Sequence, residues 1–432
     1  MADRLIGKYY CFQATRSVGF ISPIFTLFVL RDVSFTQYGT LSALSAALVV
    51  LGEVPTGYVG DRYGRRTSLA LSVVFTVLSL AGFVVAQSYW PYVLFYVLWA
   101  LALAFASGSA DAWLYEVLDE HFDADDFVRV RGRGASVMRW TSVATMIGGG
   151  ALYAVDPRYP FVASLALNGL GLAVLFTLPS TRRRANDDRS AGDPADGPGI
   201  DDATRDPGAD DADADADGHI TLLETLPLVR RQFTARPLRP FVVYVGLFFA
   251  VTTAADAYIQ PVTEELFRAT LESATVAGHS LPLGVVLGVL YAGFTAVSAV
   301  ASYFAGDVEA ALGLWGALLV VPAVTAVTLV LPRLAIVAAL PMFVALRGSK
   351  ALLLPIVNGH LNDHVGSAGR ATTLSAFSML WRLLRVPMVL AAGVVADAVT
   401  ETAAVAMLGV VFLVGASVTW LVDSPVGRST TT

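Results

Sequence analysis

The chain has 432 residues, of which 55% are apolar and only 15% charged, and its formal net charge is −6. A soluble domain usually carries about a quarter charged residues, so composition excludes an ordinary soluble enzyme or binding module. The single Cys11 excludes an internal disulfide and a thiol-rich metal site.

Apolar stretches of about 20 residues, enough to cross a bilayer core of about 30 Å, recur along nearly the whole chain. Twelve spans are predicted, at about 8–30, 38–59, 67–87, 91–118, 133–155, 159–179, 240–262, 281–304, 310–331, 334–358, 371–396 and 402–422. The first holds Arg16 and lacks a small-residue cleavage site, which argues against a removable signal peptide. With the N-terminus inside, the cytoplasmic segments hold nineteen Lys and Arg, and the outside segments only Arg31, Arg158, Arg268 and Arg333. Short basic loops mark the cytoplasmic side. The chain is therefore expected to be a multi-pass protein of the plasma membrane with both termini cytoplasmic.

Between spans 2 and 3 lies Gly57-Tyr-Val-Gly60-Asp61-Arg62-Tyr-Gly64-Arg65-Arg66, a short, basic, Gly-punctuated turn. Between spans 6 and 7, residues 181–218 hold twelve Asp and five Arg, a net −7 that leaves +1 for the rest of the chain. A run such as Asp210–Asp217 cannot bury a core, so 181–237 is read as an acidic, disordered cytoplasmic linker rather than an interaction tail or a metal-binding tract. It separates a first half, 1–180, from a second, 238–432, each with six spans. Weak echoes support duplication: Gly60-Asp61 recurs as Gly306-Asp307, and Arg139 with Gly150 recurs as Arg382 with Gly393. Two Lys against 27 Arg, with an Asp-rich linker, resemble the composition of proteins from extreme halophiles.

The spacing Gly-x-x-x-Asp-Arg-x-Gly-Arg-Arg, carried by Gly57, Asp61, Arg62, Gly64, Arg65 and Arg66, resembles the loop between helices 2 and 3 of the major facilitator superfamily of transporters. Glu53-Val-Pro55-Thr-Gly57 and Ser107-Gly-Ser-Ala-Asp111-Ala-Trp-Leu-Tyr115-Glu116 are similar to prokaryotic members of drug-efflux type. The resemblance implies an all-α integral membrane fold, twelve transmembrane helices in two pseudo-symmetric six-helix halves. Two departures stand out: span 4 lacks Arg-x-x-x-x-Gly, and span 5 has Gly148-Gly149-Gly150 without a Gly-Pro. The resemblance also implies that Asp61 faces the start of span 11 near Arg370 as a latch. Arg62, Arg65 and Arg66 would pair with Asp61 or with Asp119, Glu120 and Asp123, or else only set topology.

The family fold lines its cavity with spans 1, 4, 7 and 10, which here carry Arg16, Asp111, Asp256 and Arg347 with Lys350. These five are the expected substrate-binding or coupling residues, because charge at membrane depth usually faces a cavity or a partner. The alternative is internal pairing, for instance Arg16 with Asp111. At 1.5 Å per residue Arg347 and Lys350 fall near mid-membrane, Arg16 and Asp111 about 12–15 Å from the cytoplasmic end, and Asp256 in the outer half. Glu53, Glu116, Arg139, Arg382 and Arg385 are expected at contacts between the halves, with Pro55 kinking span 2. Trp99, Trp113 and Tyr258 either line the cavity or pack, and Trp90 reads as an interfacial anchor. Asp111 and Asp256 are the proton-coupling candidates. Three cavity cations against two anions lean towards anionic or zwitterionic solutes.

The expected function is secondary active transport of a small organic solute by rocker-switch alternating access, proton-coupled, with efflux favoured. The alternatives are an uptake symporter for an organic anion or zwitterion, a non-transporting sensor, or a polytopic membrane enzyme. No Gly-x-x-x-x-Gly-Lys-Ser/Thr loop supports ATP-driven pumping. His360 and His364 stand at i, i+4 without a third ligand, so no metal site is expected. No cofactor or nucleic acid is implied, and nothing requires more than a monomer.

Overall fold

Without water to bond its backbone, an apolar chain crosses a bilayer only as helix or closed barrel, and Leu, Ala, Val and Phe runs of this length take the helix. The structure, a computed structural model, describes residues 2–107, 109–121, 127–180, 238–270, 275–276, 279–364 and 370–422. The predicted linker, 181–237, lies outside the described residues, as does Asp123, and so do the side chains of Asp119, Glu120 and Arg370.

Fifteen α-helices make up nearly all of the described residues. The first half holds α1 (Ala2–Thr15), α2 (Phe25–Val29), α3 (Phe35–Tyr63), α4 (Arg65–Val85), α5 (Tyr89–Ala106), α6 (Ser109–His121), α7 (Phe127–Val155) and α8 (Tyr159–Phe176). The second holds α9 (Leu238–Asp256), α10 (Ile259–Thr270), α11 (Leu283–Tyr303), α12 (Ala305–Val330), α13 (Ala339–Asp363), α14 (Arg370–Ala398) and α15 (Glu401–Val422). A two-residue hairpin, Thr275–Val276 with His279–Ser280, is the one β element described.

Ten segments are long and apolar enough to cross a membrane, against the twelve predicted. The first predicted span is broken into α1 and α2, because Pro23 has no N–H to continue the ladder and the backbone from Arg16 to Ile24 leaves the helix. The fifth is the long helix α7, which carries Arg129, Arg131, Arg133, Arg139 and three glycines and is not apolar enough to qualify. Pro55 sits inside α3 without ending it.

The chain enters α3 at one face of the bundle and leaves it at the opposite face, at Gly64, so that most of the Gly57–Arg66 motif is helical rather than a turn; the two faces are termed the distal face and the motif face. Within the first half α4 packs on α5 and α8, and α1 on α7; within the second, α13 packs on α11 and α12, and α9 on α14 and α15. The halves meet along α3 against α14 and α7 against α11. At the distal end of both seams only glycine fits. A Cβ at Gly150 would stand 2.1 Å from the Gly284 carbonyl oxygen, and one at Gly393 would stand 2.5 Å from that of Phe35.

Candidate functional site: a cavity between the halves

A cavity of about 740 Å³ lies between the halves, a size that suits a drug-like solute. The first half contributes Phe25, Tyr38, Tyr96 and Trp99 together with the hydroxyls of Ser22, Thr26, Ser42, Ser45 and Ser107. The second contributes Thr253, Asp256, Gln260, Tyr291, Arg347, Trp381, Arg382 and Arg385. Three backbone breaks open onto it: Val18 to Ser22 between α1 and α2, Ser107 after α5, and Ala257 between α9 and α10. The last break follows from Pro261, which cannot donate to the Ala257 carbonyl. Irregular backbone is tolerated at membrane depth where it lines a cavity.

Two ion pairs involve arginines of the wall. Arg347 Nε lies 2.9 Å from Asp256 Oδ1, and the guanidinium sits 5.3 Å from the Tyr291 ring centroid and 5.9 Å from that of Phe294. Neither Nε nor Oδ1 makes a directed hydrogen bond, so the attraction between them is chiefly coulombic. Arg382 Nη1 donates to Glu53 Oε1 at 3.0 Å, which joins α14 to α3 across the halves. Arg385, one turn further along α14, also lines the cavity, with its Nε buried and unpartnered among the described residues. Lys350, half-buried one turn from Arg347, lies off the wall and has no ion-pair partner among the described residues.

Arg16 and Asp111 lie off the wall as well. Arg16 reaches Gln13 Oε1 at 3.4 Å and the Phe12 ring at 5.9 Å. The Arg16–Asp111 pairing is not formed. Asp111 instead accepts from Arg131 Nε and Nη2 of α7, both at 2.8 Å, with each side chain more than half exposed. Trp113 is fully buried and donates to the Pro179 carbonyl at 3.2 Å, and Tyr258 stacks on Phe35; of the three aromatics considered, the cavity wall has Trp99. Arg139 is exposed on α7.

At the motif face α3 ends at Gly64, whose φ of 93° is open to glycine and strained for other residues. Asp61 pairs with Arg65 Nη2 at 2.5 Å, and Arg65 Nε lies 3.9 Å from Glu116. Arg62 donates to the Tyr58 hydroxyl at 2.7 Å. Arg66 donates to the Phe176 carbonyl at 2.7 Å and Lys8 to that of Thr177 at 3.2 Å, so two cations complement the negative end of α8. Gly57 has open space around it.

At the distal face each half caps a helix of the other. Gln260 of α10 accepts from Thr26 N at 2.8 Å and Leu27 N at 3.2 Å, and its amide donates to the Ser22 carbonyl at 2.9 Å. It thereby satisfies the free backbone groups of the broken first span. Asp397 of α14 accepts from Phe35 N at 2.9 Å and Thr36 N at 2.8 Å, at the N-terminus of α3 beside its own Ser34–Gln37 capping box.

A profile of the Major Facilitator Superfamily matches residues 11–389. The chain belongs to that superfamily. It is 28% identical over 191 residues to "Uncharacterized MFS-type transporter YxaM" of Bacillus subtilis (strain 168), covering 43% of this chain and 47% of that protein. It is 28% identical over 161 residues to "Tetracycline resistance protein, class C" of Escherichia coli, covering 36% and 39%. The chain thus aligns with less than half the length of these relatives. Two solved structures share the fold: the nucleoside transporter NupG, with a TM-score of 0.69, 12% identity and 96% of each chain covered, and a bacterial homologue of the human lysosomal transporter Spinster, with 0.64, 16%, and 96% and 95% covered. The family and the ten apolar helices make the chain a multi-pass membrane protein.

Sequence reasoning on this superfamily member missed several wall residues. Tyr96, Tyr291 and Trp381 lie in apolar runs where any aromatic reads as packing. Gln260 was detectable as a lone amide inside an apolar segment, and Asp397 as an acid just past the predicted end of span 11.

Proposed function

We propose that the chain moves a small organic solute across the plasma membrane by alternating access about the central cavity, outward and coupled to protons, with both termini cytoplasmic. The observation that carries this reading is the cavity walled by both halves, beneath a distal seam closed by Gly150, Gly393, Gln260 and Asp397. With the motif face cytoplasmic, this arrangement corresponds to a state closed to the outside. The likeness to a tetracycline resistance protein supports the outward direction. Glu53 and Asp256 are the carboxylates placed to take the coupling proton, since each faces an arginine at the cavity whose release would follow protonation.

Rocker-switch movement is tested with spin labels on the Cys11→Ser protein in high-salt bilayers, the salt matching the acidic, Lys-poor composition. One pair, Arg31 with Val399, reports the distal face, and another, Tyr63 with His364, the motif face. The expected result is two distance populations at each face, changing in opposite senses with pH. One fixed distance at both faces overturns alternating access. Direction and coupling are read in energised everted vesicles, where solute accumulation abolished by an uncoupler is expected.

A further inference from the structure

Buried polar atoms in native proteins nearly always have a partner, so those that lack one point to something that supplies it. Among the described residues seven buried side-chain atoms are orphaned, and five belong to cavity-wall residues: Tyr96 Oη, Thr253 Oγ1, Asp256 Oδ1, Arg347 Nε and Arg385 Nε. Asp256 and Arg347 answer each other at 2.9 Å. That leaves two hydroxyls and one guanidinium Nε, that of Arg385, on the wall of one space.

The charge inventory points the same way. Among the described residues Arg347 is matched by Asp256 and Arg382 by Glu53, but Arg385 has no carboxylate partner, and Lys350 stands nearby without an ion pair. An unmatched cation at membrane depth is costly, and a solute carboxylate would match it. The opposite wall is flat and aromatic: Phe25 stacks on Trp99 with centroids 6.4 Å apart and planes at 27°, beside Tyr96, and Trp381 closes the other side. Among the described residues the wall carboxylate Asp256 is already engaged by Arg347, and nearby Glu53 by Arg382, so an ammonium would find no free partner there.

We infer that this cavity takes an aromatic organic monoanion, its carboxylate held by Arg385 with the hydroxyls of Tyr96 and Thr253, its ring against Trp99 and Trp381. This rests on the reading above that the cavity is the transport site, and narrows the solute class from "small organic" to planar and anionic.

The test is binding to the purified full chain in sulfate-based high-salt buffer, followed by quenching of tryptophan fluorescence. Four probes are compared: 1-naphthoate, its neutral amide 1-naphthamide, 1-naphthylmethylammonium and cyclohexanecarboxylate. Naphthoate is expected to bind about tenfold or more tighter than the amide, as for a hydrogen bond to a charged group, and tighter than the saturated acid. Arg385→Gln should erase the preference over the amide while leaving amide affinity unchanged, and Arg385→Lys should restore part of it. Should Arg385→Gln fail to fold, as judged by size exclusion, Tyr96→Phe is the variant to read, with a loss of about threefold or more for naphthoate alone. Equal binding of acid and amide, tighter binding of the ammonium, or an unchanged preference in Arg385→Gln would overturn the inference. Chloride displacing naphthoate as well as a second aromatic acid does would also overturn it. The spin-label experiment separates the two claims. Naphthoate preference without alternation keeps the anion site and removes transport, whereas alternation without that preference keeps transport and removes the anion site.

Discussion

Among the described residues, the cavity wall supplied by α1–α8 carries no charged side chain, whereas that supplied by α9–α14 carries Asp256, Arg347, Arg382 and Arg385. The first half places its ion pairs elsewhere: Asp61 with Arg65 at the motif turn, and Asp111 with Arg131 between α6 and α7, where both partners are exposed. Charge near water is weakly constrained, while charge at depth needs a partner or a ligand. On the proposed reading, recognition of solute charge falls to the second half and recognition of its shape to the first. Four substitutions sharpen or break that assignment.

The largest effect is expected at Asp256. Removing it as Asp256→Ala leaves Arg347 without its counter-ion in a half-buried site, at a cost on the order of 3 kcal/mol. Thermal unfolding in detergent should show the drop, and the double variant with Arg347→Met should recover most of it. If the single and double variants melt alike, the pair is not coupled. Glu53 comes next. Its partner Arg382 is 35% exposed against 16% for Glu53 itself, so Glu53→Gln should cost about 1–2 kcal/mol. Because this pair, unlike Asp256–Arg347, joins the halves, its loss should also shift the spin-label populations, and by more than Asp256→Ala does. Wild-type protein at acid pH should resemble Glu53→Gln at neutral pH, since protonation removes the same charge.

How much of this was legible beforehand follows from the range of each signal. The spans were legible because transfer from water to lipid acts on every residue of a run, and the motif turn was legible because its glycines and arginines are contiguous. Helix faces were not. Asp111 sits in the fourth span, as a cavity residue would, yet it lies in the first turn of α6, after α5 has ended at Ala106, and pairs with Arg131 of α7. Arg385 reads as a contact between the halves because α14 lies on that seam, yet it and Arg382, one turn apart on one face, both reach the wall. The broken first span hid for a related reason: its polar backbone is satisfied by Gln260, 234 residues away from Thr26 in sequence.

Asp397 tests the distal seam itself. It holds two backbone N–H groups at the positive end of α3, so Asp397→Ala should cost about 1 kcal/mol of the distally closed state, while Asp397→Asn, still an acceptor, should cost about half as much. The readout is the distal spin-label pair, whose open population should rise about fivefold in the Ala variant. An unchanged population would mean that the glycine contacts close this face unaided.

The smallest effect is expected where the first half keeps its charge. Asp111 and Arg131 form a two-pronged pair with good distances, but their side chains are 56% and 54% exposed. Water competes for both groups and salt screens them, so Asp111→Asn should cost no more than about 1 kcal/mol, less in high salt. Solute binding should be unchanged, because Asp111 does not touch the cavity. This is the substitution that would most damage the comparison if it went the other way. A folded Asp111→Asn protein that had lost solute binding would mean that the first half contributes charge to recognition after all, in a state other than the distally closed one. Arg131→Ala would then decide between the two accounts: a carboxylate needed for solute survives the loss of its arginine, whereas a pair needed only to hold α6 against α7 does not.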